Sequence, residues 1–205
     1  MIDHAAFMNI YLSNVSFGLS VESDVVLQTA ACTFDGHIME NLSPTLTGAS
    51  LTCSSVSAMD FISFGELIHR RGVTIAAFTP AVGRALGEAF ESGTASYLMY
   101  QSLRLFISGG EELKGVVIRT LRRFLTHCKF ANMYGPAECA ILSSFQWAHL
   151  CCDQPEFNDA IPIGYPCKNY SFYVVDSHLS LVSPGEVGEL LIGGAGLFRG
   201  YWNRH

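Results

Sequence analysis

The chain has 205 residues, 49% of them hydrophobic and 15% charged, with a formal net charge of -6. A chain of that length buries about 70% of its unfolded surface, and so high an apolar share excludes intrinsic disorder. Twelve Lys and Arg against 18 Asp and Glu leave no basic excess for a nucleic-acid partner. So few charges point either to a sheet buried on both faces or to one part of a larger body.

Seven cysteines occur with no CxxC pair. Their spacing fits neither a zinc site nor a disulfide framework, so reduced thiols in a cytoplasmic protein are expected. His149 before Cys151 and Cys152 lacks the second ligand pair that a metal needs.

Residues 4–22 are nearly free of charge, and they begin without the basic region of a signal peptide. Asn9, Ser13, Ser16 and Ser20 recur at spacings of 4, 3 and 4, which is one narrow stripe on a helix. That stripe is expected to meet water while Phe7, Met8, Ile10, Tyr11, Val15, Phe17 and Leu19 pack inward. No membrane segment is expected.

Downstream, strands are expected over 24–30, 49–53, 73–78, 103–107 and 129–134. Helices are expected over 35–47, over 59–71 with Gly72 as its stop, and from Pro80. A further helix over 111–126 would have Glu111 and Glu112 at its start and Arg119, Arg122 and Arg123 near its end, matching the helix dipole. This alternation implies an α/β fold, a parallel sheet with helices on both faces. After about 155 the pattern turns β-rich, with strands over 171–176 and 189–192 around a Ser183-Pro184-Gly185 turn. The expected organisation is an α/β part over 1–155 and a small β-rich unit over 156–205.

In open α/β folds, ligands bind beyond the carboxyl ends of the strands. The loop 132–138 (NMYGPAE) offers a ring, a glycine and the carboxylate of Glu138. That acid can hold Mg²⁺ through one oxygen, or it simply caps a turn. Ser108-Gly109-Gly110, placed at a helix start, can cradle an anion or lie along a planar ligand. Asp35 is either a helix N-cap or a partner for an ammonium group. His37 reads as a surface helix residue. No GxxxxGK[ST] loop and no GxSxG elbow is present. Gly194-Ala195-Gly196 is no dinucleotide fingerprint, because Gly200 falls one residue late.

Together and in this order, five segments resemble the adenylate-forming (AMP-binding) enzymes, specifically the amino-acid adenylation domains of nonribosomal peptide synthetases. They are 24–35 (DVVLQTAACTFD), 103–113 (LRLFISGGEEL), 132–138, 161–166 (IPIGYP) and 184–201 (PGEVGELLIGGAGLFRGY). The resemblance spans the chain, and Phe34-Asp35 favours amino-acid substrates over those of acyl-CoA ligases.

The resemblance implies that Asp35 binds the substrate ammonium. It implies a side-chain pocket lined by Gly36, Met39, Ala77, Ile107, Gly109, Met133, Ile141 and Leu142. Being small or apolar, these suggest an apolar amino acid, since such a pocket penalises buried polar groups. Gly109, Gly110, Glu111, Asn132, Tyr134 and Gly135 are implied nucleotide contacts, and Glu138 the catalytic Mg²⁺ ligand. ATP and Mg²⁺ are the implied cofactors. The implied acceptor is the phosphopantetheine thiol of a peptidyl carrier protein domain.

Ala137 replaces the family's usual Thr. The family's phosphate loop with its Lys and its C-terminal lid fall outside these 205 residues, so the chain is expected to be inactive alone, since losing one preorganised donor already costs about 10²–10³ in rate. Two other readings stay open: a non-catalytic small-molecule-binding remnant, and an acyl-CoA ligase.

Overall fold

A computed structural model describes residues 1–55 and 59–203. Helix α1 (His4–Ser16) leads into β1 (Val25–Gln28), α2 (Gly36–Thr47), β2 (Ser50–Cys53), α3 (Phe61–Arg71), β3 (Ile75–Phe78) and α4 (Pro80–Ser92). Then come β4 (Leu105–Gly109), α5 (Gly115–Phe124), β5 (Lys129–Tyr134), β6 (Ser144–Trp147) and a short α6 (Ala148–Cys151). The chain closes with β7 (Tyr165–Pro166), β8 (Tyr170–Val175) and β9 (Glu189–Gly194). Seven strands form one sheet in the order β2-β1-β3-β4-β5-β6-β7, and β8 with β9 forms a separate two-stranded sheet.

The expected α/β architecture is present. Strands β1 to β5 pair in parallel, as helical crossovers require. Two strands that the sequence pattern did not announce, β6 and β7, extend the sheet antiparallel. Alternation along β4 divides the core. Phe106 stacks with Phe78 and Phe130, at 5.2 and 5.5 Å between ring centroids, on the face covered by α3, α4 and α5. Leu105 and Ile107 pack on the opposite face with Ala6 and Ile10 of α1.

Local signals set several helix ends. Asp60 caps α3 by accepting from the Ser63 N–H at 3.1 Å, and Gly72 closes that helix in the left-handed region. Thr79 caps α4 ahead of Pro80, where a missing N–H is harmless.

Helix α5 departs from expectation, because it begins at Gly115 and has no acid in its first turn. Glu111 and Glu112 lie in the preceding loop, so only Arg122 and Arg123 complement the dipole. The loop is held another way: the Leu113 carbonyl accepts from the Ile161 N–H at 2.7 Å. Gly109 therefore ends a strand, and Gly110 does not open a helix.

The burial of α1 departs from expectation in part. Asn9 and Ser13, and Ser20 beyond the helix, are buried, while Met8, Leu12 and Val15 are exposed; Ser16 is exposed and Ile10 and Leu19 are buried, as expected. Asn9 meets partners inside the fold rather than water. Asn9 donates to the Lys168 carbonyl at 2.9 Å and accepts from the Asn169 amide at 2.7 Å. Among the described residues, no helix is long and apolar enough to cross a membrane.

Candidate functional site

The parallel strands end together along one edge, and α2 leans over that edge. Between them lies a cavity of about 650 Å³, within the usual range for small-molecule sites. Its wall brings together every position expected for the substrate pocket. Asp35, Gly36 and Met39 come from the start of α2, and Ala77 from β3. Ile107 and Gly109 come from β4, Met133 from β5, and Ile141 and Leu142 from the segment after β5. Gly110 and Gly135 reach the same wall, whereas Glu111, Asn132, Tyr134 and Glu138 do not line it.

Asp35 stands at the N-cap position of α2, yet its side chain makes no capping hydrogen bond, and its backbone is already helical. The bland role weighed for this residue is thus unfilled, and Asp35 is among the residues that line the cavity.

Close backbone passage shapes the far wall. A Cβ on Gly109 would stand 2.6 Å from the Met133 carbonyl oxygen, and one on Gly135 only 2.3 Å from that of Ile141. Only glycine permits these approaches. Ala140 and Ile141 adopt positive φ of 52° and 78°. For a β-branched residue this is real backbone strain, of the kind that collects at binding sites.

Glu40 is a wall residue that the sequence reading missed. It is 6% exposed, and its carboxylate accepts from the N–H groups of Thr29 and Ala30, both at 2.9 Å, and from the Thr29 hydroxyl at 3.0 Å. Burial pushes its carboxyl pKa up, against the opposing pull of these donors. The signal was available: Glu40 follows Gly36 by four residues and so shares its helix face. Thr29 and Thr79 also line the cavity, so its wall is less uniformly apolar than expected. His37, expected on the surface, sits with Nδ1 3.1 Å from the Ala30 carbonyl oxygen.

Glu138 lies just beyond the cavity, next to the loop that follows β9. Its Oε1 accepts from the Tyr201 hydroxyl, and its carbonyl accepts from the Phe198 N–H at 2.8 Å. The Tyr201 hydrogen bond holds the Glu138 carboxyl below the usual carboxylate range. Among the described residues, no group of three His, Cys, Asp or Glu could enclose a metal. A single carboxylate such as that of Glu138 is the kind of oxygen donor that suits Mg²⁺ when substrate phosphates complete its shell.

Asn132 is buried beneath the site. It donates to the Pro162 carbonyl at 3.0 Å, fastening the segment after α6 under the strand ends. A second, polar cleft of about 590 Å³ lies between β2 and α3, remote from all of these residues.

A cavity at the carboxyl edge of a parallel sheet, with Asp35 and Glu40 in its wall and Glu138 just outside, defines a small-molecule-binding α/β domain. The chain belongs to the AMP-binding enzyme family, whose pattern matches residues 1–202. It is 29% identical to gramicidin S synthase 1 of Brevibacillus brevis, over all of this chain and 17% of that protein. It is 30% identical to tyrocidine synthase 1 of Brevibacillus parabrevis, over all of this chain and 18% of that protein. The chain thus spans less than a fifth of the length of either relative. Among solved structures, the nonribosomal peptide synthetase FmoA3 superposes with a TM-score of 0.85 at 21% identity, over 98% of this chain and 21% of that one. The N-terminal subdomain of Klebsiella oxytoca NpsA, in complex with 3-hydroxyanthranilyl-AMSN, gives 0.80 at 24% identity, over 98% and 49%. Both likenesses show the shared fold.

Proposed function

We propose that this chain carries the amino-acid pocket and the metal-binding acid of an adenylation domain in a peptide synthetase. The observation behind this reading is that all nine expected substrate positions, Asp35 included, line one cavity. Asp35 pairs with the ammonium group of the substrate, and an ion pair in a partly desolvated site orients as well as attracts. The largely apolar wall takes an apolar side chain. Glu138, hydrogen-bonded by Tyr201, holds Mg²⁺, which supplies charge neutralisation at the substrate phosphates when bound. In the complete enzyme the amino-acid carboxylate attacks the α-phosphate of ATP, releasing pyrophosphate and forming aminoacyl-AMP. The phosphopantetheine thiol of a carrier protein domain then attacks the acyl carbon of aminoacyl-AMP, forming a thioester and releasing AMP. Gly109, Gly110, Glu111, Asn132, Tyr134 and Gly135 serve the nucleotide side. Residues 1–155 form the α/β part and 156–205 the β-rich part, of which 204–205 lie outside the described residues. Seven free thiols suit the cytoplasm.

Calorimetric titration of the chain with a panel of amino acids tests this reading. Apolar amino acids should bind, and Asp35→Ala should abolish their binding. Failure of every amino acid to bind, or unaltered binding by the variant, would overturn it. Amino-acid-dependent ATP–pyrophosphate exchange should be absent from the isolated chain, and clear turnover would refute its dependence on the family's phosphate loop and lid.

A further inference from the structure

Beside the main cavity lies a small space of about 30 Å³, room for one water molecule or one hydroxyl group. Met39, Glu40, Ala77, Ile107 and Met133 line both spaces and form the partition between them. The wall of the smaller space reaches back to Ile75, two residues before Ala77 on β3. Two of the five partition residues are methionines, the side chains that yield most readily to an incoming group.

The wall of this small space is not wholly apolar. Asn14 of α1 lines it and is only 4% exposed. Its side-chain oxygen Oδ1 has no hydrogen-bond partner. Buried polar atoms are nearly always paired, so an orphan acceptor on a residue that lines a cavity calls for a donor. The acid in that wall, Glu40, already accepts from the Thr29 and Ala30 N–H groups.

We infer that Asn14 forms the end of the substrate side-chain pocket and accepts a hydrogen bond from a hydroxyl or N–H at the tip of a long aromatic side chain. This rests on the amino-acid pocket proposed above and narrows its substrate class from apolar amino acids to aromatic ones ending in a neutral donor. A ligand lacking that donor leaves Asn14 unpaired, and one with it removes the penalty.

The test is calorimetric titration of the chain with tyrosine, phenylalanine and 4-fluorophenylalanine, repeated on Asn14→Leu. Tyrosine should bind at least ~10-fold tighter than the other two, the value of one buried neutral hydrogen bond. Asn14→Leu should remove that preference while phenylalanine still binds. Equal affinities in the wild-type chain would overturn the inference and leave the amino-acid pocket standing, and this comparison needs no variant. A tyrosine preference that survives in folded Asn14→Leu would also overturn it. Tighter binding of lysine or ornithine than of tyrosine would shift the role to Glu40 and do the same. Binding of no amino acid at all would instead defeat the underlying proposal.

Discussion

The hydroxyl of Tyr201 donates to Oε1 of Glu138, joining two residues 63 positions apart in the chain. The contact ties the loop after β9 to the loop after β5 and keeps the Glu138 carboxyl below the usual range. Tyr201→Phe removes the donor, so the Glu138 titration midpoint should rise. Carboxyl chemical shifts followed by NMR against pH measure it directly. An unchanged midpoint would mean that the hydroxyl does not tune this acid.

A buried ion pair holds the opposite end of the sheet. Asp24, 2% exposed, pairs with Arg104 and accepts from the Thr74 hydroxyl at 2.7 Å and the Val21 N–H at 2.8 Å. Burial raises the Asp24 pKa, but the Arg104, Val21 and Thr74 hydrogen bonds outweigh it and leave the value lowered. A depressed folded pKa contributes stability above the unfolded value near 3.8, lost as pH falls through the folded one. Asp24→Ala should destabilise by about 2–3 kcal/mol, less than for a fully buried pair because Arg104 is more than a third exposed. Urea melts at pH 7 and pH 3 should show the difference between variant and wild type shrinking in acid.

Gly135 governs the far wall of the cavity. Gly135→Ala drives a methyl group against the Ile141 carbonyl, and the backbone there is already strained. A stability loss of roughly 1–3 kcal/mol is expected, with displacement of Ile141 and Leu142 weakening amino-acid binding. Thermal melts and titrations of the same preparation separate the two effects.

The buried polar side of α1 is open to a direct comparison. Asn9→Ala removes a buried side chain's hydrogen bonds to the Lys168 carbonyl and from the Asn169 amide, and should destabilise by about 1–3 kcal/mol. Leu12→Lys, on the exposed side of the helix, should stay within about 0.5 kcal/mol. The opposite ranking in chemical denaturation would restore the expectation that the polar stripe faces water.

The pattern of apolar runs and helix signals located most of the parallel sheet. Strand β5 falls over the very residues expected, and α3 ends at Gly72. Strand β7 escaped because it has two residues, too short for a readable period, and β6 because Ser144 and Gln146 interrupt any apolar run. Glu111 and Glu112 misled because acids before a helical run resemble a first turn wherever the helix starts. The pocket positions came from resemblance, since residues as ordinary as Ala77 and Ile107 carry no chemical signal of their own.

The sequence by itself determined the alternation of strand and helix, the caps and the order of the loops at the sheet edge. Those features depend on residues a few positions apart, and their physics is local. Tertiary structure alone decided which residues of α1 are buried, that Asn14 lines a small space beside the pocket, and that Tyr201 reaches Glu138. Each of these depends on a partner or an exclusion of water supplied by distant chain, and a pattern of neighbours contains no record of that.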